Sequence, residues 1–269
     1  MLTRRAALAA PLLIPFAARA QDAGTVAKPL RVGVTSGVHA QVLERVQAAL
    51  APTGLVMKVT EFGDFIQPNA ALASGDLDAN TYQHQPFLDQ QNKDRGYKLV
   101  PVGRTVMTAM AVFSKKAKAP GDLAPGARVA IPNDPTNGGR ALVLLANAGL
   151  IKLRDGGDFR STVLDVTDNP KRLRFVELEA AQIARALDDV EAGAITGNYA
   201  VAAGMDPLRD SLVVEQAESG LIRQYCCLVV VRQGDEGRAW ARTLAGAYAD
   251  AGLKDWVTAT FKGAVIPGA

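Results

Sequence analysis

Cysteine is nearly absent. The chain has two, Cys226 and Cys227, side by side, which excludes a disulfide framework and any C-x-x-C metal or redox pair. Histidine is equally scarce: His39 and His84 stand 45 positions apart, with no H-E-x-x-H pair and no G-x-S-x-G elbow elsewhere in the chain. The common zinc-hydrolase and serine-hydrolase signatures are therefore missing, and a secreted enzyme is the least favoured class. No basic run exists. The net charge of +3 traces to residues 1–20, which hold Arg4, Arg5 and Arg19 and no acidic residue. Without them 27 basic residues face 27 acidic ones, so neither nucleic acid nor an anionic membrane surface is an expected partner. The apolar run Ala6 to Ala18 is too short, and too broken by Pro11 and Pro15, to span a bilayer. Low-complexity linkers and internal repeats are also missing.

The N-terminus carries an address. Arg4 and Arg5 precede the apolar run, and Ala18-Arg19-Ala20 is a small-x-small cleavage site, so residues 1–20 read as a cleaved signal peptide. Thr3 to Leu8 partly matches a twin-arginine signal, with Ala7 where a Phe is usual, which leaves general secretion slightly favoured. No Cys follows the apolar run, so the expectation is an exported protein with no lipid anchor. About 249 residues remain, enough for one large domain or two lobes.

The patterns behind residue 29 alternate strand and helix. Leu30 to Val34 reads as a buried strand, His39 to Leu50 as an amphipathic helix, Leu55 to Glu61 as a strand, and Pro68 to Ala73 as a second helix. A strand ending near Asn80 follows. A second series starts at Ala127 to Ile131. It continues through helices at Gly139 to Ala148 and Ala180 to Val190, with strands at Phe175 to Leu178 and Ala194 to Thr196. Cys226 to Arg232 reads as a strand carrying the chain back, and two C-terminal helices pack on the first series. This order predicts an α/β fold of two lobes joined by two crossing strands with a cleft between them. The expected boundaries are 29–111 plus 226–269 for lobe 1 and 112–225 for lobe 2.

Two segments carry chemistry. Asp78-Ala-Asn-Thr-Tyr82-Gln-His84-Gln-Pro-Phe87 gathers aromatic and polar groups, and on an extended segment Tyr82 and His84 face the same way. An aromatic wall with a polar tip suits a small amphipathic molecule. His84 near Asp78 leaves an acid–base pair open as the enzymatic alternative. Ile131-Pro-Asn-Asp134-Pro-Thr136-Asn-Gly-Gly-Arg140 runs from a strand through a loop into a helix N-terminus. Free amides there attract an anion, and Arg140 adds a fork suited to a carboxylate; a capped helix with a surface Arg is the plainer reading. Asp134 and Thr136 serve as caps under either.

These segments are accompanied by Val32-Gly-Val-Thr, Gln67-Pro-Asn-Ala-Ala-Leu, Gly75-Asp-Leu-Asp-Ala-Asn80, Asp89-Gln-Gln, Lys93 to Gly103, Gly149 to Leu153 and Lys262-Gly-Ala-Val. Together they resemble the methionine-type substrate-binding proteins of ABC importers over nearly the whole chain. The resemblance implies a periplasmic binding protein fold and a periplasmic receptor that closes around a small amino-acid-like ligand. It also implies an ABC permease as partner, and no cofactor, metal or catalysis. It implies an aromatic cage of Phe65, Tyr82, His84 and Phe87, with Arg140 on the ligand carboxylate. Thr196 and Cys227 fall where that family commonly has Asn, with Asn198 two positions away and Tyr225 just ahead. A loop from Glu215 to Gln224 leads into this stretch. A ligand that keeps the carboxylate but alters the amino end, and a sensory or adhesive role without transport, are the alternatives that this departure raises.

Overall fold

A computed structural model describes residues 23–216 and 223–268; the signal peptide expected at 1–20 and part of the Glu215–Gln224 segment lie outside the described residues. The chain opens with β1 (Leu30–Thr35), α1 (Val38–Leu50), β2 (Met57–Phe62), α2 (Gln67–Ser74), β3 (Ala79–Asn80), α3 (Gln85–Arg95) and β4 (Leu99–Arg104). β1 lies parallel to both β2 and β3. Its side chains at Leu30, Val32 and Val34 share one face and are fully buried, as the core-facing side of a strand requires. α1 spaces Val38, Val42, Val46 and Leu50 along one buried stripe, which packs on this sheet.

The chain leaves through β5 (Val106–Thr108) and enters β6 (Ala111–Phe113) of a second sheet. That unit adds β7 (Arg128–Pro132), α4 (Asn137–Asn147), β8 (Lys152–Leu153), β9 (Val166–Asp168) and β10 (Arg174–Leu178). α5 (Ile183–Ala186), β11 (Ala192–Ile195), α6 (Gly197–Ala202) and β12 (Val213–Val214) complete it. β7 is parallel to β10 and β11, while β6 runs antiparallel to β11 and β12. The chain returns as β13 (Leu228–Arg232), which inserts antiparallel between β3 and β4 of the first sheet. α7 (Ala239–Ala249) and α8 (Ala251–Phe261) then cover that sheet, burying Trp240, Leu244 and Val257 in its core. β14 (Val265–Pro267) ends the described chain against β5.

The result is a two-lobed α/β fold of two five-stranded sheets with separate cores. The two crossings touch. Cys227 N–H donates to Val106 O at 2.9 Å and Thr105 N–H donates to Cys227 O at 2.7 Å, so outgoing and returning backbones are bonded where the lobes join. Three details differ from the sequence reading. α3 was not expected. The helix expected over Ala180 to Val190 is a 3-10 turn followed by the short α5. The returning strand begins at Leu228, with Cys227 in an isolated bridge to His84. Among the described residues no helix is long and apolar enough to cross a membrane.

Candidate functional site

Arg140 is placed by glycine. A Cβ on Gly138 would sit 2.7 Å from Pro132 O, and one on Gly139 would run into the carbonyl of Phe159, so the first turn of α4 lies directly on backbone. The guanidinium is buried. Its Nε and Nη2 donate to the two Glu215 oxygens at 2.7 and 2.5 Å, Nη2 also donates to Thr108 O at 3.0 Å, and the Tyr225 ring lies 4.0 Å beneath. Burial works against the charge, but Glu215 more than offsets it and the Arg140 pKa is raised. The N-terminus of α4 is not the open anion site that its sequence suggests. Asp134 Oδ1 accepts from Asn137 N–H at 2.9 Å and from Thr136 N–H at 3.3 Å, so the first amides are already satisfied.

His84 has a defined tautomer. Burial, reinforced by Arg140, holds its pKa down to about 3, so the ring is neutral. Nδ1 accepts from Phe87 N–H at 3.3 Å and caps α3, with Pro86 in the first turn. The proton is therefore on Nε2, which donates to Asn137 Oδ1 at 3.2 Å, while Asn137 Nδ2 donates to both Asp134 oxygens at 3.0 Å. Burial raises the Asp134 pKa despite these bonds. Asp78, the suggested acid–base partner of His84, is elsewhere. It accepts from Arg31 N, Nε and Nη2 at 2.8 to 3.1 Å and lies 3.6 Å from Arg232.

Phe65 stacks on Tyr82 at 6.1 Å and on Tyr199 at 5.0 Å, with Phe87 edge-on to Phe65 and Tyr82 at 6.2 Å. The Tyr82 hydroxyl donates to Phe65 O at 2.7 Å. Thr196 precedes α6, and its Oγ1 is buried with no hydrogen-bond partner among the described residues. Cys227 Sγ donates to Tyr82 O at 3.2 Å and lies 3.9 Å from His39 Nε2. Asn198 points across to the other lobe, where Nδ2 donates to Ser36 O at 2.9 Å and Oδ1 accepts from His39 N–H at 3.2 Å.

All seven residues expected at the site line one cavity: Phe65, Tyr82, His84, Phe87, Arg140, Thr196 and Cys227. Its open volume is about 20 Å³, room for about one water, so a ligand needs the lobes to part. A larger cavity of about 220 Å³ lies beside α4 and β12 and shares Arg140 and Tyr225, but none of the rings of Phe65, Tyr82 or Phe87 faces it. The aromatic-walled cavity is the candidate site, because both lobes and both crossing segments meet there. His39, Asn137 and Glu215 escaped the sequence reading. The first reads as one more position of an amphipathic helix, the second as a loop residue, and Glu215 stands 75 positions from its arginine.

Comparison with known proteins agrees with this architecture. The family model for the NlpA lipoprotein matches residues 30–269. The D-methionine-binding lipoprotein MetQ of Yersinia pestis is 44% identical over 242 residues, covering 89% of this chain and 88% of its own. That of Escherichia coli K12 is 43% identical over the same length and coverage. Among solved structures, a nutrient binding protein from Burkholderia cenocepacia bound to methionine has a TM-score of 0.83 at 44% identity, covering 89% of this chain and all of its own. An ABC transporter periplasmic substrate-binding protein from Coxiella burnetii has a TM-score of 0.83 at 39% identity, covering 88% and 99%. These findings overturn one expectation. The absence of a lipid anchor was inferred from residues 1–20 alone, outside those described, whereas the matching family and both curated relatives are lipoproteins. With its family model matched from the first core strand to the last residue, this chain belongs to the NlpA lipoprotein family.

Proposed function

We propose that this protein is the periplasmic solute-binding component of an ABC importer. In this reading it captures methionine or a close amino-acid relative in the aromatic-walled cavity and hands it to the permease. One observation carries the reading: seven residues from distant parts of the chain, one buried guanidinium and three Phe and Tyr rings among them, converge on a single interlobe cavity. Aromatic faces suit a thioether or aliphatic tail, and Arg140 suits the carboxylate. The methionine bound by the Burkholderia cenocepacia relative supports the ligand class. Lobes at 29–111 with 226–269 and at 112–225 are the moving bodies of this proposal. Their separation and closure is the expected mode of capture.

Thr196 and Cys227 set the expected strength. Thr196 offers one hydroxyl, and the Cys227 thiol is a weak donor already directed at Tyr82 O. Each hydrogen bond to a charged ligand group that is not made costs roughly 1.5 to 3 kcal/mol, so affinity falls below that of a site with two amides. Calorimetry on protein unfolded and refolded to strip carried-over ligand tests this. L-methionine should bind saturably at one site, and Thr196→Asn should tighten it about tenfold. A folded protein that gives no heat with L- or D-methionine ends the methionine reading.

A further inference from the structure

We infer that Glu215 sets the charge selectivity of the cavity, spending the positive charge of Arg140 in advance so that the site takes a net-neutral, dipolar ligand and refuses a simple carboxylate anion. The inference rests on the reading of the aromatic-walled cavity as the ligand site. Arg140 is the only formally charged side chain among those lining that cavity. Its charge is not free. Glu215 takes Nε and one Nη2 hydrogen through both oxygens, and Thr108 O takes Nη2 as well. With Nε and both Nη2 hydrogens used in these bonds, the two hydrogens of Nη1 are the donors left for a ligand carboxylate.

Glu215 is itself held firmly. Its Oε2 also accepts from Met110 N–H at 2.8 Å, on the outgoing crossing segment. A second carboxylate, Asp134, stands one residue behind the wall, reached through Asn137. The two histidines facing the cavity are neutral, so they add no positive charge. An incoming monoanion would thus meet one cation already paired with an anion, in a buried site where an uncompensated charge is expensive. A zwitterion brings its own compensating charge: its carboxylate takes the Nη1 hydrogens of Arg140, and its ammonium sits in the field of the two acids. Glu215 need not touch the ligand. It is a positioning residue, acting through the guanidinium.

The test compares L-methionine with its 2-hydroxy analogue, in which a hydroxyl replaces the ammonium, by calorimetry on wild type, Glu215→Gln and Glu215→Asp. Wild type should prefer methionine by about tenfold or more. Glu215→Gln should shrink that ratio by about tenfold, chiefly by binding the hydroxy acid more tightly. Glu215→Asp keeps the charge and should keep the wild-type ratio. A purely structural Glu215 would weaken both ligands together and leave the ratio unmoved, which overturns the inference. Should Glu215→Gln not fold, the wild-type ratio still decides, because a hydroxy acid that binds as well as methionine refutes the selectivity. If neither ligand binds wild type, the site reading itself fails, a distinct outcome that removes the inference with it.

Discussion

His39 and His84 are both buried at the junction of the lobes, and burial holds their pKa values down to about 4 and about 3. In an unfolded chain both titrate near 6.5. Above that pH both states hold neutral imidazoles and the full stability is present. Below it the unfolded chain takes up protons that the fold refuses, so stability is lost as the pH falls towards 4 and then 3. The loss is up to about 1.4 kcal/mol per pH unit for each ring, roughly 2 to 4 kcal/mol between pH 7 and pH 5. Urea unfolding at the two pH values should show it, and imidazole NMR signals should not titrate between pH 5 and 8. A midpoint indifferent to pH over that range contradicts the neutral assignment. His84 was legible in the sequence because it sits among Tyr82 and Phe87, whereas His39 was not, because nothing in a helix stripe distinguishes a wall residue from a core one.

Gly197 opens α6, and the element depends on it. A Cβ there would stand 2.5 Å from Ala109 O and 2.9 Å from the Thr108 Cβ. Both belong to the outgoing crossing segment, and backbone cannot yield as a side chain can. Gly197→Ala should therefore push α6 away, shifting Thr196 and Asn198 together. The expected cost is about 1 to 3 kcal/mol in urea unfolding, with weaker methionine binding. Wild-type stability and affinity in that variant would show that the approach is not tight. The strands and the larger helices were legible because β1 repeats apolar residues at Leu30, Val32 and Val34, β7 holds the apolar run Val129 to Ile131, and α1 and α4 carry clear stripes. α3 was not: Gln85 to Arg95 is mostly polar, and its signals are local ones, a capping His84, Pro86 in the first turn and Gly96 in the left-handed region after it. The convergence of distant segments was legible only through the family resemblance, since periodicity says nothing of which loops meet.

The two lobes are latched by a few polar contacts across the cleft. Asn198 bonds to Ser36 O and His39 N–H, the Tyr199 hydroxyl donates to Gly63 O at 3.1 Å, and His84 donates to Asn137. Under the proposed separation of the lobes these bonds belong to the closed form alone, because on opening each group meets water instead. Asn198→Ala leaves two backbone groups without partners in the closed form alone. About 2 kcal/mol is expected to move from closed to open, a shift of roughly thirtyfold in the equilibrium. Small-angle scattering should report a larger radius of gyration for the ligand-free variant than for wild type, with the difference abolished by saturating methionine. Equal radii in the ligand-free state would assign closure to the crossing strands and not to this latch.

Cys227 is a rung of the ladder that joins the two crossings and also a wall of the cavity. Under the proposed opening of the lobes, a substitution that alters what the cavity accepts at this position also acts on the joint about which they part. In that reading, what the protein recognises and how long it keeps a ligand are inherited at this residue as a single trait.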